Sequence, residues 1–251
     1  MKKHVAVLLL TSLFSLAIQP VAADSTESAD AGAITLEGIR SRLLTARPDL
    51  PLEAVSKSEF SSLYQVKLLN GQMLYTDKDA EFLMLGELYK VTSNGFVSMA
   101  AQIKNETRMA KIAALDEAQM VIFSPENPKT TITVFTDSDC TYCRKLHRDV
   151  PTLNKMGIAV RYLAYPRKGL GSPTHQKMVS AWCADDKMDA MNKIKSGIAI
   201  PAKTCENPVA QQYNLGQELG VTGTPALVLE DGRLIPGYLE PPKMAQALGL
   251  N

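Results

Sequence analysis

Hydrophobic positions change their period several times along the 251 residues. Val5 to Ile18 is an uncharged, largely apolar run behind Met1-Lys2-Lys3-His4, and Val21-Ala22-Ala23 follows it. This arrangement predicts a secretory signal peptide cleaved after Ala23. A membrane anchor would need about 20 apolar residues, and Pro20 cuts the run short. Asp24 to Gly32 is small and polar without periodicity, which predicts a loose mature N-terminus. From Ile34 onward, Ile39, Leu43 and Leu44 fall at helical spacing, and Arg47-Pro48 ends the segment because a residue before proline avoids the α region. The period then drops to two. Leu63 to Leu68 and Met73 to Thr76 flank Asn70-Gly71, the signature of a hairpin with a type I′ turn, and Phe82 to Val91 reads as a further strand. Residues 24–95 therefore predict a small α+β domain, marginal alone and stabilised by pairing with a second copy.

Between Phe96 and Ala118 the chain turns to Ala, Lys, Glu, Met and Gln, which predicts a linker helix over 96–118. Eighteen helical residues would hold two domains about 27 Å apart, although an ordinary packed helix fits the same composition. Residues 119–251 carry an α/β rhythm. Strands are expected at Gln119 to Phe123, Thr131 to Thr136, Ile158 to Tyr165 and Ala226 to Leu229, with a last one near Leu234 behind the turn Asp231-Gly232. Helices are expected from Cys140, over Pro173 to Lys195, over Asn207 to Leu219, and after Pro241-Pro242. Thr131 to Thr136 is β-branched and apolar, as an interior strand should be.

Composition narrows the function classes. With 45% apolar and 21% charged residues the chain is globular. With a net charge of +1 and no basic run longer than two residues, the electrostatic footprint of a nucleic-acid binder is missing, and no such partner is expected. Cleavage after Ala23 would remove two lysines and no acid, leaving a near-neutral chain of 228 residues in an oxidising compartment.

There, four cysteines carry chemistry. Cys140-Thr141-Tyr142-Cys143 stands where a buried strand hands over to a helix, with Asp137-Ser138-Asp139 supplying an N-cap. Cys140 then faces unsatisfied N–H groups and the positive end of the helix dipole, which favour a thiolate and make it the attacking group. Cys143, one turn on, is placed to close a disulfide or to resolve one shared with a substrate. A thiolate favoured by about two pKa units gains about 2.7 kcal/mol, or about 60 mV toward oxidising strength.

Zinc is the competing reading of C-x-x-C, but the other two cysteines form no second close pair, so no metal or other cofactor is expected. A plain structural disulfide across two residues would be strained. His147 lies two helical turns beyond Cys140, too far for a general base, and His175 carries no partner motif. Cys183 and Cys205 are expected to pair with each other; a loop of about 22 residues predicts about 3.4 kcal/mol of stabilisation, while two buried free thiols are the alternative. Gly223-Thr224-Pro225-Ala226 precedes a strand, where proline is ordinarily trans.

Several segments together resemble the DsbC family of periplasmic protein-disulfide isomerases. They are Phe135-Thr136-Asp137, the run Cys140 to His147, Val160 to Arg167, Ala181-Trp182-Cys183, Leu219 to Ala226, and Pro236-Gly237-Tyr238. The resemblance extends more loosely over residues 24–118. Thr141 departs from the family's usual Gly and Arg144 from its frequent His; Arg144 adds a cation expected to favour the Cys140 thiolate. The resemblance implies a homodimer whose N-terminal domains pair and whose thioredoxin-like domains, each with a helical insertion, face a client-holding cleft. It implies a cis Pro225 against the active pair, with Thr224 and Pro225 binding substrate, and a permanent Cys183–Cys205 disulfide. It further implies misfolded disulfide-containing exported proteins as clients, the membrane reductase DsbD as electron donor, and accessory chaperone activity. A monomeric DsbA-like thiol oxidant and a chaperone with incidental redox activity are the rival functions.

Overall fold

The computed structural model describes residues 35–60, 62–93 and 95–250. The expected signal peptide and the segment after it lie outside the described residues. No helix among the described residues is long and apolar enough to cross a membrane. The chain divides into two compact units after Gly86.

The first unit is one helix on a four-stranded antiparallel sheet. Thr35 caps α1 (Leu36–Ala46) by accepting from the Gly38 N–H at 3.1 Å. The sheet runs in the order β1 (Leu52–Lys57), β2 (Tyr64–Leu68), β3 (Met73–Thr76), β4 (Leu83–Leu85). Ile39 and Leu43 of α1 meet Leu52, Val66, Leu68 and Leu74 in a single core. The β2–β3 hairpin forms, but not by a type I′ turn. Gly71 alone has positive φ (78°), and Leu68 and Gln72 close a three-residue loop by a 2.9 Å bond. A three-residue loop needs one left-handed residue, and glycine supplies it at the end. β1 escapes the sequence pattern because it is an edge strand burying only Leu52.

The second unit begins with a hairpin of β5 (Tyr89–Thr92) and β6 (Gly95–Ser98), where the sequence pattern had suggested helix from Phe96. Helix α2 (Met99–Ala113) starts instead at Ser98, whose hydroxyl accepts from the Ala101 N–H. Its second half packs along the unit. Ile112 joins a core with Phe135, Leu163, Leu219 and Val221. Arg108 donates to the carbonyls of Leu219 (3.1 Å) and Gly232 (3.4 Å). A 3-10 turn at Glu117–Gln119, capped by Asp116, ends the connection.

The central sheet has the order β11-β10-β8-β9-β7, from β7 (Val121–Phe123), β8 (Thr130–Thr136), β9 (Ile158–Ala164), β10 (Ala226–Val228) and β11 (Leu234–Pro236). Only β8 and β9 run parallel; every other pair is antiparallel. Helix α3 (Thr141–Lys155) connects that parallel pair, as a crossover must. The remaining helices are α4 (Pro173–Trp182), α5 (Lys187–Lys195), α6 (Val209–Glu218) and α7 (Pro241–Ala247). Both faces of β8 are covered. Ile132 and Val134 join Leu146, Met178, Met191 and Met244 on one side, and Phe135 joins Leu163 on the other. A strand buried on both faces delivers its C-terminal end to a fixed point, and the cysteine pair follows that end.

Candidate redox site

Three polar residues separate Thr136, the last residue of β8, from the cysteines. Asp137 is not the helix cap the sequence suggested. Its carboxylate is 2% exposed and accepts from the Asp139 N–H (2.7 Å), the Arg167 N–H (2.8 Å) and Arg167 Nε (3.2 Å). Cys140 is itself the N-cap of α3, and its sulfur accepts from the Cys143 N–H at 3.3 Å. A sulfur in the cap position takes the bond an Asp or Ser would take, and the orphan N–H groups of the first turn then solvate a charge on it.

Thr224 faces this sulfur from the other side of the site. Its carbonyl oxygen lies 3.2 Å from Cys140 Sγ, and the Thr224–Pro225 peptide is cis. The Thr224 hydroxyl is shielded from solvent and has no other hydrogen-bond partner, so its proton is available to the sulfurs. Both cysteines are free thiols. Cys140 is only 2% exposed.

The two sulfurs are driven in opposite directions. The Cys140 thiol is brought down to about 5, chiefly because the Cys143 side chain donates to it. Partial burial opposes this, while the Thr224 side chain, the Cys143 N–H and the positive Arg167 add to it. Cys143 is pushed far up by burial and by the proton it gives to Cys140; the charge of Lys195 pulls the other way. One sulfur is thus prepared to be anionic while the other keeps its proton.

The leading cation acting on Cys140 is Arg167 rather than the expected Arg144. Arg144 donates from Nε to the Ser138 carbonyl (3.0 Å) and pairs with Asp139 (3.6 Å), which Lys177 and Thr174 also bind. Lys195 escapes the sequence reading, which gives Asp137 and Arg167 only as a cap residue and as part of a family-like segment. Arg167 belongs to the quoted Val160 to Arg167 segment, whereas a lysine ending a helix reads as surface. Beside the pair, exposed Tyr142 stacks on Tyr238 at 6.5 Å, with Lys145 Nζ 4.4 Å above the Tyr238 ring.

Cys183 and Cys205 form a disulfide with Cα atoms 5.7 Å apart, enclosing α5 between its ends. His147 is a packed helix residue held between Tyr162 Oη (3.1 Å) and Asn192 Oδ1 (2.9 Å), and burial lowers it to about 4. Among the described residues no group of three or more His, Cys, Asp or Glu side chains is placed to hold a metal ion.

Comparison with known proteins agrees with this geometry. Residues 116–250 match the family model of a thioredoxin-like domain, and residues 21–99 match that of the disulfide bond isomerase protein N-terminal domain. The thiol:disulfide interchange protein DsbC of Escherichia coli (strain K12) is 39% identical over 181 residues, covering 72% of this chain and 75% of that protein. The DsbC of Dickeya dadantii (strain 3937) is 38% identical over 248 residues, 99% of this chain and 95% of its own. A solved disulfide interchange protein from Neisseria gonorrhoeae aligns at 27% identity over 55% of this chain and 98% of its own, with a TM-score of 0.49. On the two domain matches and the identity to the two DsbC proteins, the chain belongs to the DsbC family of thiol:disulfide interchange proteins.

Proposed function

We propose that this chain is a periplasmic protein-disulfide isomerase and reductase that reshuffles incorrect disulfides in exported proteins. The observation that carries the reading is the opposed ionisation of two sulfurs one helical turn apart, Cys140 favoured as thiolate and Cys143 held as thiol. Thiolate Cys140 attacks a client disulfide, forming a mixed disulfide and freeing one client thiolate. That thiolate attacks elsewhere in the client, and a later exchange returns Cys140 unchanged. If the client stalls, Cys143 attacks Cys140, the client leaves reduced, and the enzyme is left oxidised.

Thr224 and Pro225 border the attacking sulfur, so the main chain of Thr224 is the edge against which an extended client segment pairs. The Cys183–Cys205 bond is structural and takes no part in exchange. The matched N-terminal domain supports a homodimer that holds a client between two sites, with accessory chaperone activity. Export by residues 1–23, and re-reduction of the oxidised pair by a membrane reductase of the DsbD type, complete the cycle.

The test is recovery of activity from a scrambled multi-disulfide protein. The wild type should restore it, and Cys140→Ala should restore none; undiminished recovery by that variant overturns the assignment. Sizing the mature protein tests the dimer, and elution as a monomer would favour the oxidant reading.

A further inference from the structure

Among the described residues, Lys195 is the one buried cation that the exchange chemistry above leaves unused. It closes α5, inside the segment bracketed by the Cys183–Cys205 disulfide, and is 4% exposed. Its ammonium donates to Thr136 Oγ1 (2.5 Å) and to the carbonyl oxygen of Asp137 (2.9 Å), the two residues through which β8 passes into the cysteine loop. A third N–H remains, and the face of Tyr162 lies 5.6 Å from the nitrogen. A lysine buried without a carboxylate in direct contact is costly to keep charged, and such a group is retained where its charge is used.

We infer that Lys195 is the counter-charge that ionises Cys143 once Cys140 has been capped by a client, and so sets how often a stalled client is released reduced. This rests on the proposed roles of the two cysteines. In the reduced enzyme the Cys140 thiolate lies within the field of Lys195, while the nearby Asp137 carboxylate is already paired with Arg167. Capping Cys140 removes that thiolate, and the ammonium then favours a new one at Cys143. The Cys143 proton passes to solvent, and the thiolate attacks Cys140 Sγ. The Cys140–Cys143 bond forms as the bond from Cys140 to the client breaks. The client sulfur leaves with the electron pair, so the client disulfide is reduced and the cysteine pair oxidised by two electrons.

The electrostatics agree in direction. Burial brings Lys195 down to about 8; Cys143, Asp137 and Cys140 pull it up, and Arg144 pushes it down. His147 also feels its charge, and buried Tyr162 stays protonated. Each cation feels both sulfurs, but Lys195 leads the influences that lower Cys143, whereas Arg167 is the leading charge on Cys140. Lys195 therefore serves resolution more than attack. It is a positioning residue acting through Cys143, with no contact to client.

The test is rapid mixing of the reduced protein with an aromatic disulfide, dithiobis(nitrobenzoate), across pH. The first released thiolate reports attack by Cys140. The second, independent of reagent concentration, reports attack by Cys143. Lys195→Met should slow the second phase about tenfold at pH 7 and shift its pH profile upward by about one unit, with the first phase changed less than about threefold. A second phase unchanged in rate and profile, or both phases slowed alike, overturns the inference. A wild type that lacks the two phases overturns the proposed cysteine roles instead. If Lys195→Met does not fold, Lys195→Gln removes the charge and keeps a donor. If neither folds, the Lys195 side-chain NMR titration in the wild type decides. It must fall to lower pH on oxidation of the pair, and an identical value in both states refutes the inference.

Discussion

Arg167 holds the buried carboxylate of Asp137 through both its backbone N–H and its guanidinium. Its backbone N–H and Nε hold Asp137 at 2.8 and 3.2 Å, and its positive charge favours the Cys140 thiolate. Asp137 stands three residues before Cys140, so the loop carrying Cys140 is anchored by the same side chain that stabilises the Cys140 thiolate. Arg167→Gln should therefore raise the pH at which Cys140 ionises and slow its alkylation at pH 6, measured with iodoacetamide. An unchanged inflection would show that the arginine only anchors Asp137.

The docking of α2 depends on a missing side chain. A Cβ on Gly232 would lie 2.0 Å from the Asn105 carbonyl oxygen, and the residue has φ +76°. Gly232→Ala faces both a backbone clash and a left-handed conformation that alanine resists. It should cost about 2 kcal/mol or more in denaturant unfolding. A loss below about 0.5 kcal/mol would mean that α2 does not rest on this turn.

Lys195 gives a stability signature of opposite sign. The folded protein binds the Lys195 proton less tightly than the unfolded chain, at about 8 against 10.5. Keeping the fully buried group charged therefore costs about 3 kcal/mol at pH 7, and the cost fades as pH rises from 8 through 10.5. Lys195→Met should be more stable than the wild type at pH 7, by about 2 kcal/mol after the Asp137 carbonyl loses its donor. The gain should shrink toward pH 10. A variant less stable at pH 7 would show the ammonium to be structural.

Much of the fold can be read from the chain because its signals are local. The β-branched run Thr130–Thr136, the C-x-x-C behind it and the β2–β3 hairpin depend on neighbours within a few residues. What the chain conceals depends on distant partners. β1 and β6 are short strands that expose most of their side chains, so neither shows a clean alternation. The cap of α3 passes from Asp137 to Cys140 because Arg167, thirty residues on, claims the carboxylate. Lys195 ends an amphipathic helix, where a terminal lysine reads as solvent-facing, and its ammonium turns inward to Thr136 only in the folded chain. Thr224 meets Cys140 across a separation of 84 residues; its place beside the sulfur came from family resemblance, not from periodicity.

Replacing Cys143 tests how one sulfur prepares the other. Its side chain is the largest influence holding Cys140 low. Cys143→Ala removes that donor but keeps the backbone N–H at 3.3 Å. The Cys140 inflection should rise yet stay below an ordinary cysteine's value of about 8.5. An inflection at the ordinary value would assign the whole effect to the Cys143 side chain and none to the helix start.

The most direct measurement is the titration of Cys140 in the reduced wild type, followed by thiolate absorbance near 240 nm and by alkylation rate from pH 3 to 10. A single thiolate appearing near pH 5, with Cys143 silent throughout, is the required result. A first inflection near 8.5, the value of an unassisted thiol, would contradict it.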